Sequence, residues 1–384
     1  MSDSNRHNAP LRLSRSVVGR EEAEAVTRII MEEGYLGMGA EVQRLEAEIA
    51  AYLGVAAANV SCVNTGTAAL HLAVQAAVPQ GGEVLVQSVT YVASFQAIRA
   101  AGAVPVACEA LPASVTIDLD DAARRLTPRT RAIMPVHYAG YAGDLDAVYA
   151  FADRHGLRVI EDAAHAFGSS HRGRLIGSFG DIVCFSFDGI KNITCGEGGA
   201  IVSADPAVNA AVKDARLLGV ERDTEKRFAG QRSWNFDVTA QGWRYHMSNI
   251  MAAIGRVQLR RLPQEFAPAR RRLSALYREL LQDTPGVALL ETDAEGTVPH
   301  IMAVRITDGR RDTLRGLLDG EGLTTGLHYR PNHLHTLFGG ASRSLPVSER
   351  LEKELLTLPL HPALSEDDVR AVCTRLRTFM QENR

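Results

Sequence analysis

The sequence predicts an α/β fold built on a largely parallel sheet with helices on both faces, followed by a smaller C-terminal α+β unit. Three observations carry this. Short apolar runs alternate with helix-length amphipathic stretches through the first two thirds of the chain. The alternation breaks after Asp162, where two strand-like runs are joined by a glycine-rich loop with no helix between them. From Ser248 the pattern becomes long and helical, and the tail then mixes strand and helix.

In chain order, Glu21 to Glu33 and Glu41 to Leu53 have helical periodicity and stop at Gly34 and Gly54. Val60–Val63 reads as a strand, Thr67–Val78 as a helix, Glu83–Gln87 as a strand and Tyr91–Ala101 as a helix. Val104–Cys108, Arg131–Val136 and Arg158–Glu161 continue the strands, with helices at Leu119–Leu126 and Leu145–His155. Asp181–Phe187 and Gly199–Ser203 are expected as strands, one of them antiparallel to the rest. The helical stretch from Ser248 to Leu281 is expected to break at Pro263 and Pro268. Strand His300–Ile306, helix Arg311–Glu321, a loop rich in histidine and proline, and helix Ser365–Met380 complete the chain. The domain boundary falls near Leu259, giving a large unit 1–258 with an N-terminal helical segment and a small unit 259–384.

The bulk numbers exclude several classes. A 384-residue chain with 46% hydrophobic and 23% charged residues is ordinary for a globular protein. A net charge of -3 gives no basic excess for nucleic acid or a membrane surface. The start is polar, and no apolar run approaches the length of a membrane span. Five scattered cysteines (Cys62, Cys108, Cys184, Cys195, Cys373) show no Cys-x-x-Cys spacing, which points to reduced thiols in a cytoplasmic protein.

Chemistry concentrates in two stretches, Val159-Ile-Glu-Asp-Ala-Ala-His-Ala-Phe-Gly168 and Phe185-Ser-Phe-Asp-Gly-Ile-Lys-Asn-Ile-Thr-Cys-Gly-Glu-Gly-Gly199. If the first is a strand ending in an acid, Asp162 lies at a carboxyl end of the sheet, where open α/β sheets bind ligands. The second is a strand to Ser186, a turn presenting Lys191 and a glycine-rich return. Pyridoxal phosphate (PLP) chemistry needs that pair: an amine to condense with the aldehyde and a buried carboxylate to keep the pyridine nitrogen protonated. A surface lysine and a helix-capping aspartate would also satisfy the spacing. Asn64-Thr-Gly-Thr-Ala-Ala-Leu-His71 follows an apolar strand and opens a helix. The amides of Gly66 and Thr67 and the Thr67 hydroxyl would make a phosphate cup there, though Thr-Gly-Thr also serves as a plain N-cap.

The ordered set Thr65-Gly66-Thr67-Ala-Ala-Leu, Tyr91, Glu161-Asp162-Ala-Ala-His165, Phe185-Ser186-Phe187…Lys191 and Gly196-Glu-Gly-Gly199 resembles the DegT/DnrJ/StrS family of sugar aminotransferases. Gly37-Met-Gly39, Pro135-Val-His-Tyr138, His328-Tyr-Arg-Pro331 and Leu358-Pro-Leu-His361 extend the likeness over nearly the whole chain. The resemblance implies PLP fold type I: a large domain with a mostly parallel seven-stranded sheet flanked by helices, plus a smaller C-terminal α+β domain. It implies that Lys191 forms the Schiff base with PLP and shuttles the proton, and that Asp162 pairs with the pyridinium nitrogen. Tyr91 would stack on the ring, His165 would sit beside it, and Gly66, Thr67 and Ser186 would hold the phosphate. Read by themselves, Tyr91 also fits a core aromatic and His165 a core histidine bonded to backbone. Cys195 reads as packing. The segment His328…His333…His335 reads as a loop near the site, with no metal expected.

The chain departs from the family at Gly242-Trp-Arg-Tyr-His-Met247, where the usual motif is Gly-x-Asn-x-Arg-Met. Arg244 stands at the Asn position, which in the family reaches the cofactor phosphate of the partner subunit. Arg244 either keeps that role across a homodimer with shared active sites or meets an anionic part of the substrate. The expected reaction moves an amino group from an amino-acid donor, glutamate, to a keto-sugar, commonly nucleotide-linked. A sugar acid is the alternative acceptor. A PLP-dependent dehydratase of the same fold has histidine in place of the lysine, so Lys191 argues against that class.

Overall fold

The computed structural model describes residues 10–382 apart from 222, 230, 232–235 and 340–343, so the polar start Met1–His7 lies outside the described residues. Seven strands form the main sheet: β1 Val60–Val63, β2 Glu83–Gln87, β3 Val104–Cys108, β4 Thr130–Met134, β5 Arg158–Asp162, β6 Ile182–Ser186 and β7 Gly199–Ser203. Their order across the sheet is β1-β7-β6-β5-β4-β2-β3. The pairs β6–β5, β5–β4, β4–β2 and β2–β3 are parallel, and β7 runs antiparallel to both β6 and β1. Alternate side chains feed two apolar clusters on opposite faces. Leu85, Ile133, Val159 and Val183 enter one, and Val84, Val86, Ile160 and Ile182 the other. Burial on both faces is why these strands read as continuous Val/Ile runs.

The antiparallel strand, expected from the missing helix, decides where the site forms. Gly199 opens β7 opposite both Val63, the last residue of β1, and Ser186, the last of β6. The carboxyl ends of β1 and β6 therefore lie on either side of one residue. β5 ends beside them, with Asp162 opposite Cys184. A Cβ on Gly199 would lie 2.6 Å from the Thr65 carbonyl oxygen and 2.8 Å from that of Phe185. Only glycine lets the three backbones close to this degree.

A second sheet of β8 Val287–Leu289, β9 Met302–Ile306 and β10 Leu355–Leu358 is antiparallel, in that order. Leu314, Leu318, Leu356, Val369, Val372 and Leu376 form its core with helices Arg311–Gly320 and Glu366–Glu382. Helix Asn249–Arg261 does not break at the prolines. A π-helical turn, Leu262–Phe266, carries it into Ala267–Leu281. Pro263 and Pro268 each sit near the start of a new segment, where the wider turn accommodates the missing N–H. Along this run, side chains as far as Ala267 pack into the main-sheet core and those from Leu273 into the small-sheet core.

Several elements escaped the periodicity. Helix Pro206–Ala215 has a cap in Asp205, whose carboxylate accepts from the Ala207 amide. Strand β10 follows helix Pro346–Glu354 with no turn residue to announce it. Among the described residues no helix is long and apolar enough to cross a membrane.

Candidate active site

Asp162 ends β5 and is buried, with one carboxylate oxygen 2.7 Å from the Ser94 hydroxyl and the other 3.2 Å from the Ala164 amide. Burial raises its carboxyl above the usual range, opposed by those two bonds and by the charges of Lys191 and His137. Glu161, one residue earlier, points to the other face and bonds the Tyr149 hydroxyl at 2.6 Å. Lys191 lies in the turn after β6 and is half-buried. Burial pushes its amine down to about 8. Arg270 adds to the fall, and Asp162 and Asp188 oppose it. Lysine and aspartate thus share one electrostatic neighbourhood, Asp162 at the end of β5 and Lys191 in the turn that follows the adjacent parallel strand β6.

The turn is held at both of Lys191's neighbours. Asn192 donates its side-chain amide to the carbonyls of Phe167 at 3.0 Å, Val298 at 3.2 Å and His165 at 3.4 Å. The Ile190 carbonyl accepts from Arg270 at 3.5 Å.

Gly66 starts helix Gly66–Ala77, and Thr65 caps it by accepting from the Ala68 amide at 3.0 Å. Thr65 thus makes the plain N-cap, while Gly66 and Thr67, in the first turn, remain placed for the cup reading. The amides of Gly66 and Thr67 have no partner among the described residues. A Cβ on Gly66 would lie 2.6 Å from Ser186 Cβ, so the helix start and the end of β6 are in direct contact. This brings Gly66, Thr67 and Ser186 to one place.

His165 is buried, its Nε2 is 3.1 Å from the Tyr329 hydroxyl and its ring centroid is 4.4 Å from that of His300. Its Nδ1 has no hydrogen-bond partner. Burial, with Lys191, His328 and His137 adding to it, holds the ring's pKa well below the ordinary value, so it is neutral. It is not a core histidine tied to backbone through its ring. Tyr91 is 59% exposed, against the core-aromatic reading, and its ring lies 5.6 Å from that of Tyr329. The loop carrying Tyr329 is fastened to the main sheet: Asn332 donates its side-chain amide to the carbonyls of Thr90 at 2.8 Å and Ser88 at 3.1 Å.

Arg244 is exposed, and its side chain has no partner among the described residues. Its carbonyl accepts from the Asn64 side chain at 3.4 Å, and the Asn64 amide donates to Tyr245 at 2.7 Å, which lays this segment against the entrance to the cup. The loop histidines have separate partners. His328 is 2.8 Å from the Thr357 hydroxyl, and His333 is 2.7 Å from the Ser88 hydroxyl and 3.3 Å from Glu349. Among the described residues no three His, Cys, Asp or Glu side chains group to hold a metal ion.

Sequence reasoning missed Ser94, Asn192, Arg270, His300 and Tyr329. Tyr329 lay within a recognised motif and Ser94 three residues after Tyr91, one helical turn away. His300 and Arg270 carried no local signal. The site fits PLP on its own terms. It has a buried carboxylate without a bonded cation, a half-buried amine of lowered basicity, two unpartnered amides at a helix start and a histidine nitrogen without a partner.

Comparison with known proteins agrees. Residues 17–377 match the DegT/DnrJ/EryC1/StrS aminotransferase family. The chain is 34% identical over 380 residues to a dTDP-4-dehydro-2,3,6-trideoxy-D-glucose 4-aminotransferase of Saccharopolyspora spinosa, covering 97% of each. The aminotransferase TlmJ of Streptoalloteichus hindustanus superposes with a TM-score of 0.89 at 34% identity, over 96% of this chain and 98% of that one. The PLP form of Spr1654 from Streptococcus pneumoniae superposes with a TM-score of 0.88 at 25% identity, over 97% and 99%. The chain belongs to the DegT/DnrJ/EryC1/StrS family of PLP-dependent sugar aminotransferases.

Proposed function

We propose that this chain transfers an amino group from glutamate to a nucleotide-linked keto-sugar, with Lys191 and Asp162 as the residues that hold and tune PLP. The observation that carries the reading is the meeting of Lys191, Asp162 and the Gly66–Ser186 contact at three neighbouring strand ends. The nucleotide-linked acceptor is supported by the name of the Saccharopolyspora relative.

Bound PLP supplies an aldehyde for an amine and a ring that accepts electrons. Lys191 would engage the aldehyde. With its amine brought down to about 8, a useful fraction is neutral near pH 7, able to attack and later to carry a proton at Nζ. Asp162 would hold the proton on the ring nitrogen. Gly66, Thr67 and Ser186 would take the phosphate through amides and hydroxyls at the positive end of a helix. Tyr91 would cover one ring face, and neutral His165 would stand beside the ring. Arg244 would reach the cofactor phosphate of the second subunit in a homodimer, its exposed guanidinium having no partner among the described residues. The division into domains 1–258 and 259–384 and a cytoplasmic setting belong to the same proposal. Five free, buried cysteines suit that setting.

The test is spectroscopic and then chemical. Purified protein with PLP should be yellow, and glutamate should bleach it. Lys191→Ala should abolish the colour, with catalysis falling by about 10⁴-fold or more, the upper range for a positioned proton-transfer group. Keto-sugar nucleotides and keto-sugar acids, each offered with glutamate and read by mass shift, identify the acceptor. Amination of the sugar acids alone would overturn the nucleotide-linked reading.

A further inference from the structure

Arg270 lies on helix Ala267–Leu281 and is 2% exposed, yet it has no ion-pair partner among the described residues. Its Nη1 donates to the carbonyls of His300 at 3.0 Å and Pro299 at 3.3 Å, and its Nη2 to that of Ile190 at 3.5 Å. Its Nε has no partner. A buried guanidinium without a carboxylate is costly, because carbonyl dipoles satisfy its hydrogens and leave its charge standing. Burial lowers its basicity only to about 10, so it stays charged at neutral pH.

The residues it grips are the informative part. Ile190 is the residue before Lys191, and the His300 ring packs against that of His165 at a tilt of 45°. With Asn192 anchored to three carbonyls, Lys191 is fixed from both sides, and one of the two clamps is a cation.

We propose that Arg270 is a positioning residue for Lys191, fixing the turn through the Ile190 carbonyl and setting an uncompensated positive charge next to the turn that carries the amine. This rests on the reading of Lys191 as the PLP-binding lysine. The groups facing that amine are Asp162 from β5, Asp188 from its own turn and Arg270 from helix Ala267–Leu281. His165, His300 and His328 complete the surround. Each has a pKa below the ordinary value, chiefly through burial, and adds little charge. The two carboxylates favour the protonated amine, and Arg270 is the fixed cation opposing them. The amine needs to be neutral to form its bond with the aldehyde, and again to accept a proton at Nζ.

The experiment measures the rate of PLP capture by apoenzyme as a function of pH, followed by the growth of the imine absorption band. The native protein should show a midpoint near 8. Arg270→Gln keeps amide donors but loses the charge. Its midpoint should rise by about one pH unit, with capture at pH 7 slowed about tenfold. Arg270→Lys keeps the charge and loses the fork, so its midpoint should stay near the native value while capture slows uniformly. A purely structural role would change amplitude or folding in both variants without separating their midpoints. A native-like midpoint in folded Arg270→Gln overturns the proposal. If that variant does not fold, a midpoint raised by a full unit in Arg270→Lys overturns it instead. Failure of the native protein to capture PLP at all would instead fall on the parent reading of Lys191.

Discussion

Arg216 and Arg270 are both sealed inside this protein, and their surroundings differ in one respect. Arg216 donates to the Glu46 carboxylate at 2.6 Å and to the Cys62 carbonyl at 2.7 Å, while Glu46 also accepts the Cys62 amide at 2.8 Å. This knot ties helix Ala40–Leu53 to edge strand β1, and its charges cancel. Arg270 is as deeply buried but meets only carbonyls. A cancelled charge can do little beyond holding parts together. A standing charge acts on whatever titrates beside it, and here that is Lys191.

The largest effect expected from breaking the comparison is at Glu46. Glu46→Gln leaves Arg216 buried without its carboxylate and should cost about 3–5 kcal/mol in urea unfolding. The pH midpoint of PLP capture should not move. A loss below about 1 kcal/mol would show that the pair is not what holds helix to strand. Arg270→Gln should cost less stability than Glu46→Gln, because no ion pair is broken, and should move the midpoint that Glu46→Gln leaves alone.

Next in size is Ser94, which bonds the Asp162 carboxylate. A hydrogen bond to a charged group contributes about 1.5–3 kcal/mol. Ser94→Ala should therefore weaken PLP binding by about tenfold or more. The sign in pH follows from the raised pKa of Asp162. The bond favours the ionised carboxylate, so removing it raises that pKa further and moves the acid limb of PLP retention to higher pH. An acid limb that stays in place would show that Asp162 does not govern retention.

The smallest expected effect concerns a further arginine, exposed and without a side-chain partner among the described residues. Arg244→Ala should reduce PLP affinity about tenfold, the value of one charge-assisted bond near the surface, with the sugar KM unchanged. Unchanged affinity with a raised KM would move Arg244 from cofactor to substrate.

Much of this was written locally in the chain. Strands β1 to β7 were legible because each is a short apolar run bounded by turn residues, and the antiparallel β7 because no helix precedes it. Asp162 and Lys191 were legible because each follows such a run directly. Arg270 was not. It is the first of three consecutive arginines, and nothing in the sequence separates it from Arg271, which reaches the Thr297 carbonyl, or Arg272, which meets Glu366 at the surface. Packing of the small sheet against the large one makes that distinction. His300 and Tyr329 were hidden for the same reason, since both come to His165 from beyond residue 298. The helix through Pro263 and Pro268 was misread because a π turn relieves the clash that a proline causes in a regular helix.

The Asn332 fastening has a consequence for how a sugar is chosen. The loop bearing Tyr329 bonds the main sheet through the Asn332 side chain and also through the Asn332 and His333 amides, at 2.8 Å to the Ser88 carbonyl and 3.1 Å to its hydroxyl. Such amides should exchange their hydrogens slowly, as core amides do and surface loops do not. The loop is thus in place before any substrate arrives. On the proposed reading, an incoming sugar would meet a rim already shaped, not a flap that moulds itself around each guest.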